Sequence, residues 1–313
     1  MTIRVADEAG IAAAAAYLKR GEVVAFPTET VYGLGADATQ DSAVDKVFAM
    51  KGRPNFNPLI VHVANPDWLA GFTQADKRVD VLTRAFWPGP LTLVLSQQPR
   101  SPISTQVSPN LDTIAVRQPD HPVAAALLDA VKRPIAAPSA NLSGHVSPTT
   151  AGHVEADFGA ALDITLDGGP CRAGLESTVL DLTADTARIL RLGVISASEI
   201  ESLIGSVEDH WEQSGATLSP GQLHKHYAPS LPIRLNSAAA RDGEAFLTFG
   251  HAKGATFNLS PTANLTEAAA SLYRALRQLD DPSQYTGLAV APIPDEGIGR
   301  AINDRLRRAA RGR

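Results

Sequence analysis

Alternation of short β-branched runs with helix-length segments is what most constrains this chain. EVVAF (22–26), PLIVHV (58–63), LTLVL (91–95), TIAVR (113–117), PIAA (134–137) and STVLD (177–181) are apolar and bounded by Pro, Gly or polar residues. Such runs read as buried strands. Between them, residues 41–51 and 123–130 carry helical spacing. Residues 1–20 read as an amphipathic first helix, since Asp7 and Glu8 precede its alanines and Lys19 and Arg20 follow them. A secretory signal would show the reverse charge order. The class expected is α/β, and the pattern leaves open whether the sheet is parallel or mixed.

At 313 residues there is chain enough for two domains. Residues 206–222 hold no sustained period and read as a linker. A smaller α/β unit follows, with strands at 232–235, 245–249 and 287–291 and helices at 266–279 and 299–310. Thr266 is the expected N-cap of the first of these helices. The second places Ile302, Leu306 and Ala309 on one side and its arginines elsewhere. The division expected is 1–205, a linker or lid over 206–230, and 231–313.

Charge narrows the function classes. Lys and Arg number 28 against 33 Asp and Glu, a net charge of −5. A protein gripping RNA mainly by its phosphates would be basic overall, although a local basic site stays open. The lone cysteine, Cys171, allows no disulfide framework and no CxxC zinc site. No apolar run approaches bilayer length, so no membrane association is expected and the reading is a cytoplasmic protein.

Several strand-terminal motifs carry candidate chemistry. PTETVYGLG (27–35) follows the first strand, and its hydroxyls and glycines would suit a small-molecule cradle. It reads equally as a polar turn. Gly33, Gly35 and Ala38 also spell G-x-G-x-x-A, but polar residues separate them from the strand and no acidic residue ends a second strand at the dinucleotide-fold distance. In KGRPNFNPL (51–59), Lys51 and Arg53 flank restricted backbone and suit a polyphosphate, or a basic helix end alone. No P-loop occurs. His62 lies on the strand face opposite Leu59, Val61 and Val63, where a structural histidine is the plainer reading. His224 and His226 flank Lys225 without a third metal ligand. Thr113, Arg117, and Ser139 to Gly144 stand at strand ends, where α/β sheets collect ligands. Arg117 offers a fork for a carboxylate. Glu176 to Thr178 and Arg191 to Gly193 extend this set, and Cys171 has no base partner.

Taken together, PTETVYGLG, KGRPxxxPLIVHV, TIAVR, APSANxSG and ESTVLD resemble the Sua5/YrdC family. SPGQLHKHYAP (219–229) and the terminal GIGRAINDRLRRAA resemble its long Sua5 form. The resemblance implies a YrdC-like twisted mixed sheet followed by a smaller, Rossmann-like α/β domain. It implies an L-threonylcarbamoyladenylate synthase, a nucleotidyltransferase that joins L-threonine, bicarbonate and ATP and releases pyrophosphate, for the threonylcarbamoyladenosine modification of tRNA. Thr30, His62, Arg117, Ala137 and Ser177 would hold threonine. Arg53, Asn57, Thr113, Ser139, Asn141, Ser147 and Arg191 would hold ATP, with His226 and Tyr227 closing over the nucleotide. Lys51 and Arg53 would supply charge at the reacting phosphates. Mg²⁺ is expected with ATP, with no all-protein metal site. Partners would be downstream proteins that transfer the threonylcarbamoyl group to tRNA, with a weak tRNA contact. An RNA-binding module of the same fold without synthase activity is the alternative.

Overall fold

The computed structural model describes residues 3–209 and 227–312. Among them, eleven strands form one sheet: β1 (Ile3–Val5), β2 (Val24–Phe26), β3 (Gly33–Asp37), β4 (Ile60–His62), β5 (Leu91–Ser96), β6 (Thr113–Arg117), β7 (Ile135–Ala136), β8 (Thr165–Asp167), β9 (Thr178–Asp181), β10 (Ala187–Arg191) and β11 (Val207–Glu208). Their spatial order is β1-β8-β2-β3-β7-β4-β6-β5-β9-β10-β11. The sheet is mixed. β4 runs parallel to β6 and β5 to β9, while β2–β3, β3–β7, β4–β7, β5–β6 and β9–β10 are antiparallel. Val207–Glu208, read from the sequence as the start of the linker, instead pairs with β10 at the sheet edge.

Alternation along the strands separates two faces. Leu59, Val61, Val63, Ala136 and Val116 belong to the main apolar cluster on one face. On the other, Val24, Phe26, Ile135, Ala137, Ile164 and Leu166 are covered by helices α1 (Glu8–Lys19) and α4 (Pro122–Val131). That same face continues over β4, β6, β5, β9 and β10. There Ile60, Ala115, Val94, Val179 and Leu190 form a separate small apolar cluster.

Helix α2 (Asp41–Lys51) ends where the sequence predicts. Gly52 takes a left-handed conformation (φ 59°) as its C-cap, which glycine adopts at low cost. The remaining helices around the sheet are α3 (Lys77–Phe86), α5 (Ala151–Phe158) and α6 (Ala197–Ile204), the last started by a Ser196–Glu199 capping box. The glycines of PTETVYGLG are not in a loop as expected. Gly33 and Gly35 lie inside β3, and a Cβ on Gly35 would come within 2.6 Å of the Phe26 ring. That glycine makes room for core packing, not for a ligand.

The second unit is a four-stranded parallel sheet of β12 (Ile233–Arg234), β13 (Glu244–Thr248), β14 (Phe257–Asn258) and β15 (Gly287–Val290), ordered β12-β15-β13-β14. Helices α7 (Leu265–Leu279) and α8 (Ile298–Ala310) accompany it. Asn264, not Thr266, caps α7, accepting from the backbone N–H groups of Thr266 and Glu267. Two residues earlier, the Asn264 side chain reaches both orphan donors. The arginines of α8 are not all outside either: Arg305 is 0% and Arg308 8% exposed.

The two units share one apolar core, since Leu175 and Val146 of the first cluster with Leu272 and Leu276 of α7. Gly174 lies so close to α7 that a Cβ would meet the Ala270 Cα at 2.5 Å. Arg277 of α7 reaches Asp157 Oδ2 at 2.6 Å and the Val146 carbonyl.

Candidate active site

The cleft lies on the part of the α1 and α4 face that those helices leave uncovered, beside the small apolar cluster. Its empty volume, open solvent at the mouth included, is about 520 Å³. All five residues assigned to threonine, Thr30, His62, Arg117, Ala137 and Ser177, line it. So do Arg53, Ser139, Arg191 and Tyr227. Strand pairing explains the convergence. His62 of β4 stands opposite Arg117 of β6, and alternation turns both toward the same face.

Arg117 is buried and heavily engaged. Its Nε donates to the Gly89 carbonyl at 3.1 Å and one terminal nitrogen to Thr30 Oγ1 at 3.0 Å. The other terminal nitrogen pairs with Glu29 Oε1 at 2.5 Å, and both side chains are almost fully enclosed. The sequence reading missed Glu29. Nothing in PTETVYGLG marks which of its polar residues faces inward. Thr30 is in turn fixed by a 2.8 Å hydroxyl contact to Thr28.

The buried groups without a hydrogen-bond partner include two at or near the cleft. His62 Nδ1 and both polar atoms of the Asn57 carboxamide make no hydrogen bond, and Asn57 is 1% exposed. Orphaned buried polar atoms are costly and mark where a ligand would complete the set. Burial, then the charge of Arg117, pushes His62 down to about 3, so its ring is neutral. Asn57 adjoins Arg53, which donates to the Asn57 carbonyl at 3.2 Å and the Pro58 carbonyl at 3.0 Å. Burial lowers Arg53 to about 9, leaving it cationic at neutral pH.

Other assigned residues stand differently. The accessible phosphate site expected for Lys51 is not found. Lys51 is 2% exposed and does not line the cleft. Its ammonium donates to the Ser139 carbonyl at 2.6 Å and to the Asn141 carbonyl. Burial, and then Arg53, pulls it well below the ordinary lysine range. The reason is geometric. As the last residue of α2, Lys51 points under the Ser139–Asn141 loop and anchors it. Asn141 likewise serves this loop, donating to the carbonyls of Leu142 (2.7 Å) and His145 (3.0 Å). Thr113 begins β6, four residues and about 13 Å from Arg117, and is outside the lining. Ser147 is buried and donates to Glu176 Oε1 at 2.7 Å. His226, His224 and Lys225 lie outside the described residues.

Glu176 is the carboxylate on the described cleft wall. Tyr273 of α7 donates to its Oε2 at 2.7 Å, and Arg305 of α8 at 3.0 Å. Burial alone would raise this carboxyl, but Arg305, Arg191 and the two hydroxyls hold it down at about 2. Tyr227 stacks on Tyr273 with ring centroids 5.6 Å apart. The second unit thus supplies part of the cleft's supporting wall. The arrangement is one of neutral hydrogen-bond donors, three cations and no nucleophile. Cys171 is buried and its thiol pushed up to about 12 by that burial, which leaves it inert.

Comparison with known proteins agrees with this picture. A family model spanning Sua5, YciO and YrdC, described as telomere recombination, matches residues 16–193. A second, the threonylcarbamoyl-AMP synthase C-terminal domain, matches residues 195–311. Threonylcarbamoyl-AMP synthase of Bacillus subtilis is 41% identical over 97% of this chain and 93% of its own. The Pyrococcus abyssi enzyme of that name is 38% identical over 97% and 95%. The crystal structure of P. abyssi Sua5 complexed with L-threonine superposes with a TM-score of 0.90 at 36% identity, covering 99% of this chain and 96% of that one. This chain belongs to the Sua5/YrdC family, in the form that carries the C-terminal synthase domain.

Proposed function

We propose that this protein is an L-threonylcarbamoyladenylate synthase, which converts ATP, L-threonine and bicarbonate to threonylcarbamoyl-AMP and pyrophosphate. The observation that carries the reading is the convergence of Thr30, His62, Arg117, Ala137 and Ser177 on one cleft whose wall also presents Arg53 and Arg191. In the reaction, the threonine amine attacks the bicarbonate carbon and water leaves, giving a carbamate. A carbamate oxygen attacks the α-phosphorus of ATP, and the bond to pyrophosphate breaks. No covalent protein intermediate is required, so catalysis is positioning and charge neutralisation.

Each residue then has a physical task. The two N–H groups that Arg117 does not spend on Gly89, Thr30 and Glu29 hold the threonine carboxylate. Neutral His62 and the Thr30 and Ser177 hydroxyls fix the rest of the amino acid. Arg53 and Arg191 face the phosphates, and the Asn57 amide and the Ser139 loop hold the nucleotide. Lys51 acts through that loop. Tyr227 closes one wall.

Mg²⁺ would neutralise phosphate charge. Among the described residues no three His, Cys, Asp or Glu side chains gather as a metal site, and Glu176 is already bonded by Ser147, Tyr273 and Arg305. The phosphate oxygens and water would therefore supply its ligands. The product is a reactive mixed anhydride, so a protein that transfers it to tRNA would have to follow. An RNA module without synthase activity would rest on a basic concave face of the first unit, and the net charge of −5 weighs against it.

The test is incubation with ATP and labelled bicarbonate, with and without L-threonine, in the absence of RNA. A labelled adenylate that requires threonine is the expected result. ATP turnover indifferent to threonine, or dependent on RNA, would refute it.

A further inference from the structure

Groups distant in sequence meet at one guanidinium where the two units join. Arg305 of α8, fully buried, donates from Nε to Glu176 Oε2 at 3.0 Å and from a terminal nitrogen to the Leu192 carbonyl at 2.8 Å. Its other terminal nitrogen bonds Asp304 Oδ2 at 2.6 Å, and Arg308 holds Asp304 from the next turn at 2.8 Å. The fork is thus oriented from within its own helix. The two residues it grips outside its own helix each adjoin a cleft side chain, for Glu176 precedes Ser177 and Leu192 follows Arg191. Those two are bonded directly. Arg191 donates to the Ser177 carbonyl at 3.1 and 3.0 Å and contacts the Ser177 hydroxyl at 3.0 Å. Gly193 continues the contact. A Cβ there would lie 2.6 Å from the Glu176 carbonyl oxygen, so the chain leaving β10 rests on the chain entering β9.

We propose that Arg305 is a positioning residue through which the C-terminal unit sets Arg191 against Ser177, and so the nucleotide side of the cleft against the threonine side. This rests on the reading of the cleft given above. A planar guanidinium can hold a carboxylate and a carbonyl at fixed separation, which a single ammonium cannot. The groups around Glu176 are Arg305, Asp304 and Arg308 on α8, Tyr273 on α7, Arg191 on β10, Ser147 ahead of α5, and Tyr227, whose ring lies 5.2 Å from the Arg305 guanidinium. Without Arg305, burial acts on the Glu176 carboxyl with Arg191 as the chief opposing charge. Its titration then rises toward the range that assays reach.

The experiment uses the full chain, with Arg305→Lys and Arg305→Met assayed for adenylate synthesis from about pH 5 to 9. Arg305→Lys keeps the charge and should add no acid limb. Its kcat should nevertheless fall about 10- to 100-fold through misalignment, with KM for ATP and threonine changed less than about threefold. Arg305→Met should lose kcat similarly and acquire a new acid limb, and Glu176→Gln in that background should abolish the limb. If Arg305→Met does not fold, Arg305→Lys decides alone. Wild-type kcat in Arg305→Lys overturns the proposal, as does activity lost only in proportion to the folded fraction with an unchanged pH profile. A wild-type protein that makes no adenylate overturns the reading of the cleft, and this inference with it.

Discussion

Replacing Arg117 with Lys tests the centre of the cleft. The guanidinium serves three acceptors in different directions: the Gly89 carbonyl at 3.1 Å, the Thr30 hydroxyl at 3.0 Å and Glu29 at 2.5 Å. A lysine ammonium can stay with Glu29, where the Coulomb attraction is greatest, and gives up the other two. Two charge-assisted hydrogen bonds at roughly 1.5–3 kcal/mol each give a stability loss of about 3–6 kcal/mol. Losing a charge-assisted bond to the threonine carboxylate removes roughly 1.5–3 kcal/mol of binding, or about 10- to 150-fold in Kd. ATP, on the far side of the cleft, should bind within about threefold of wild type.

Urea unfolding and separate calorimetric titrations with threonine and with ATP read these quantities. Glu29→Gln is the control with opposite signs. It leaves the buried guanidinium uncompensated and should cost roughly 3–5 kcal/mol of stability. Because it removes a carboxylate that competes for the fork, threonine affinity should hold or rise. Equal losses for threonine and ATP in Arg117→Lys would refute the assignment. So would weaker threonine binding in a folded Glu29→Gln.

Asn57→Leu should hold or raise stability, because it replaces a buried amide that has no partner, yet weaken ATP about tenfold; calorimetry beside a melt checks both. Lys51→Met should lower ATP affinity and Tm together, since the ammonium ties down the Ser139 and Asn141 carbonyls; ATP affinity lost at an unchanged Tm would mean a direct phosphate contact instead. Gly174→Ala, at φ +66° and against the α7 backbone, should lower stability by about 1 kcal/mol or more, measured by urea unfolding. His62 should show no imidazole titration near 6.5 by NMR, because burial holds the folded group near 3. Between those values only the unfolded chain takes up the proton, so this residue makes stability fall as pH drops, by about 1.4 kcal/mol per unit.

The strands that sequence reveals are those buried on both faces. LTLVL and TIAVR are near-continuous apolar runs, and both form strands within a residue of the expected bounds. β1 escaped notice because its Arg4 and Val5 are exposed, and β3 because three of its five residues are glycine or alanine, which have low strand propensity. The cleft residues were named through the family resemblance. Alone, PTETVYGLG read equally as a polar turn and His62 as a structural histidine, because a polar group at a strand end serves a turn as readily as a pocket. Lys51 misled because a basic helix end and a phosphate ligand look the same in sequence. Only the loop folded over it separates them.

Glu176 and Arg305 were illegible as a pair because 129 residues separate them, and only the docking of two units brings them together. Their energetics also argue for a role other than adhesion. The junction already has an apolar core, in which Leu175 and Val146 pack with Leu272 and Leu276. Burying four charged side chains beside it, Glu176, Asp304, Arg305 and Arg308, costs desolvation that hydrophobic residues of the same volume would avoid. What a charge network adds over an apolar one is direction, since hydrogen bonds fix angles and apolar contact does not. The Gly193 contact requires that direction, for it tolerates no extra atom between the entry to β9 and the exit of β10. A site that must hold a carbamate oxygen in line with a phosphorus atom depends on such angles more than on the strength of docking. The same reasoning separates stability from rate. Changes to the apolar junction, such as Leu272→Ala, should lower stability and spare kcat in the protein that remains folded. Arg305→Lys should lower kcat in the protein that remains folded, beyond any loss of stability.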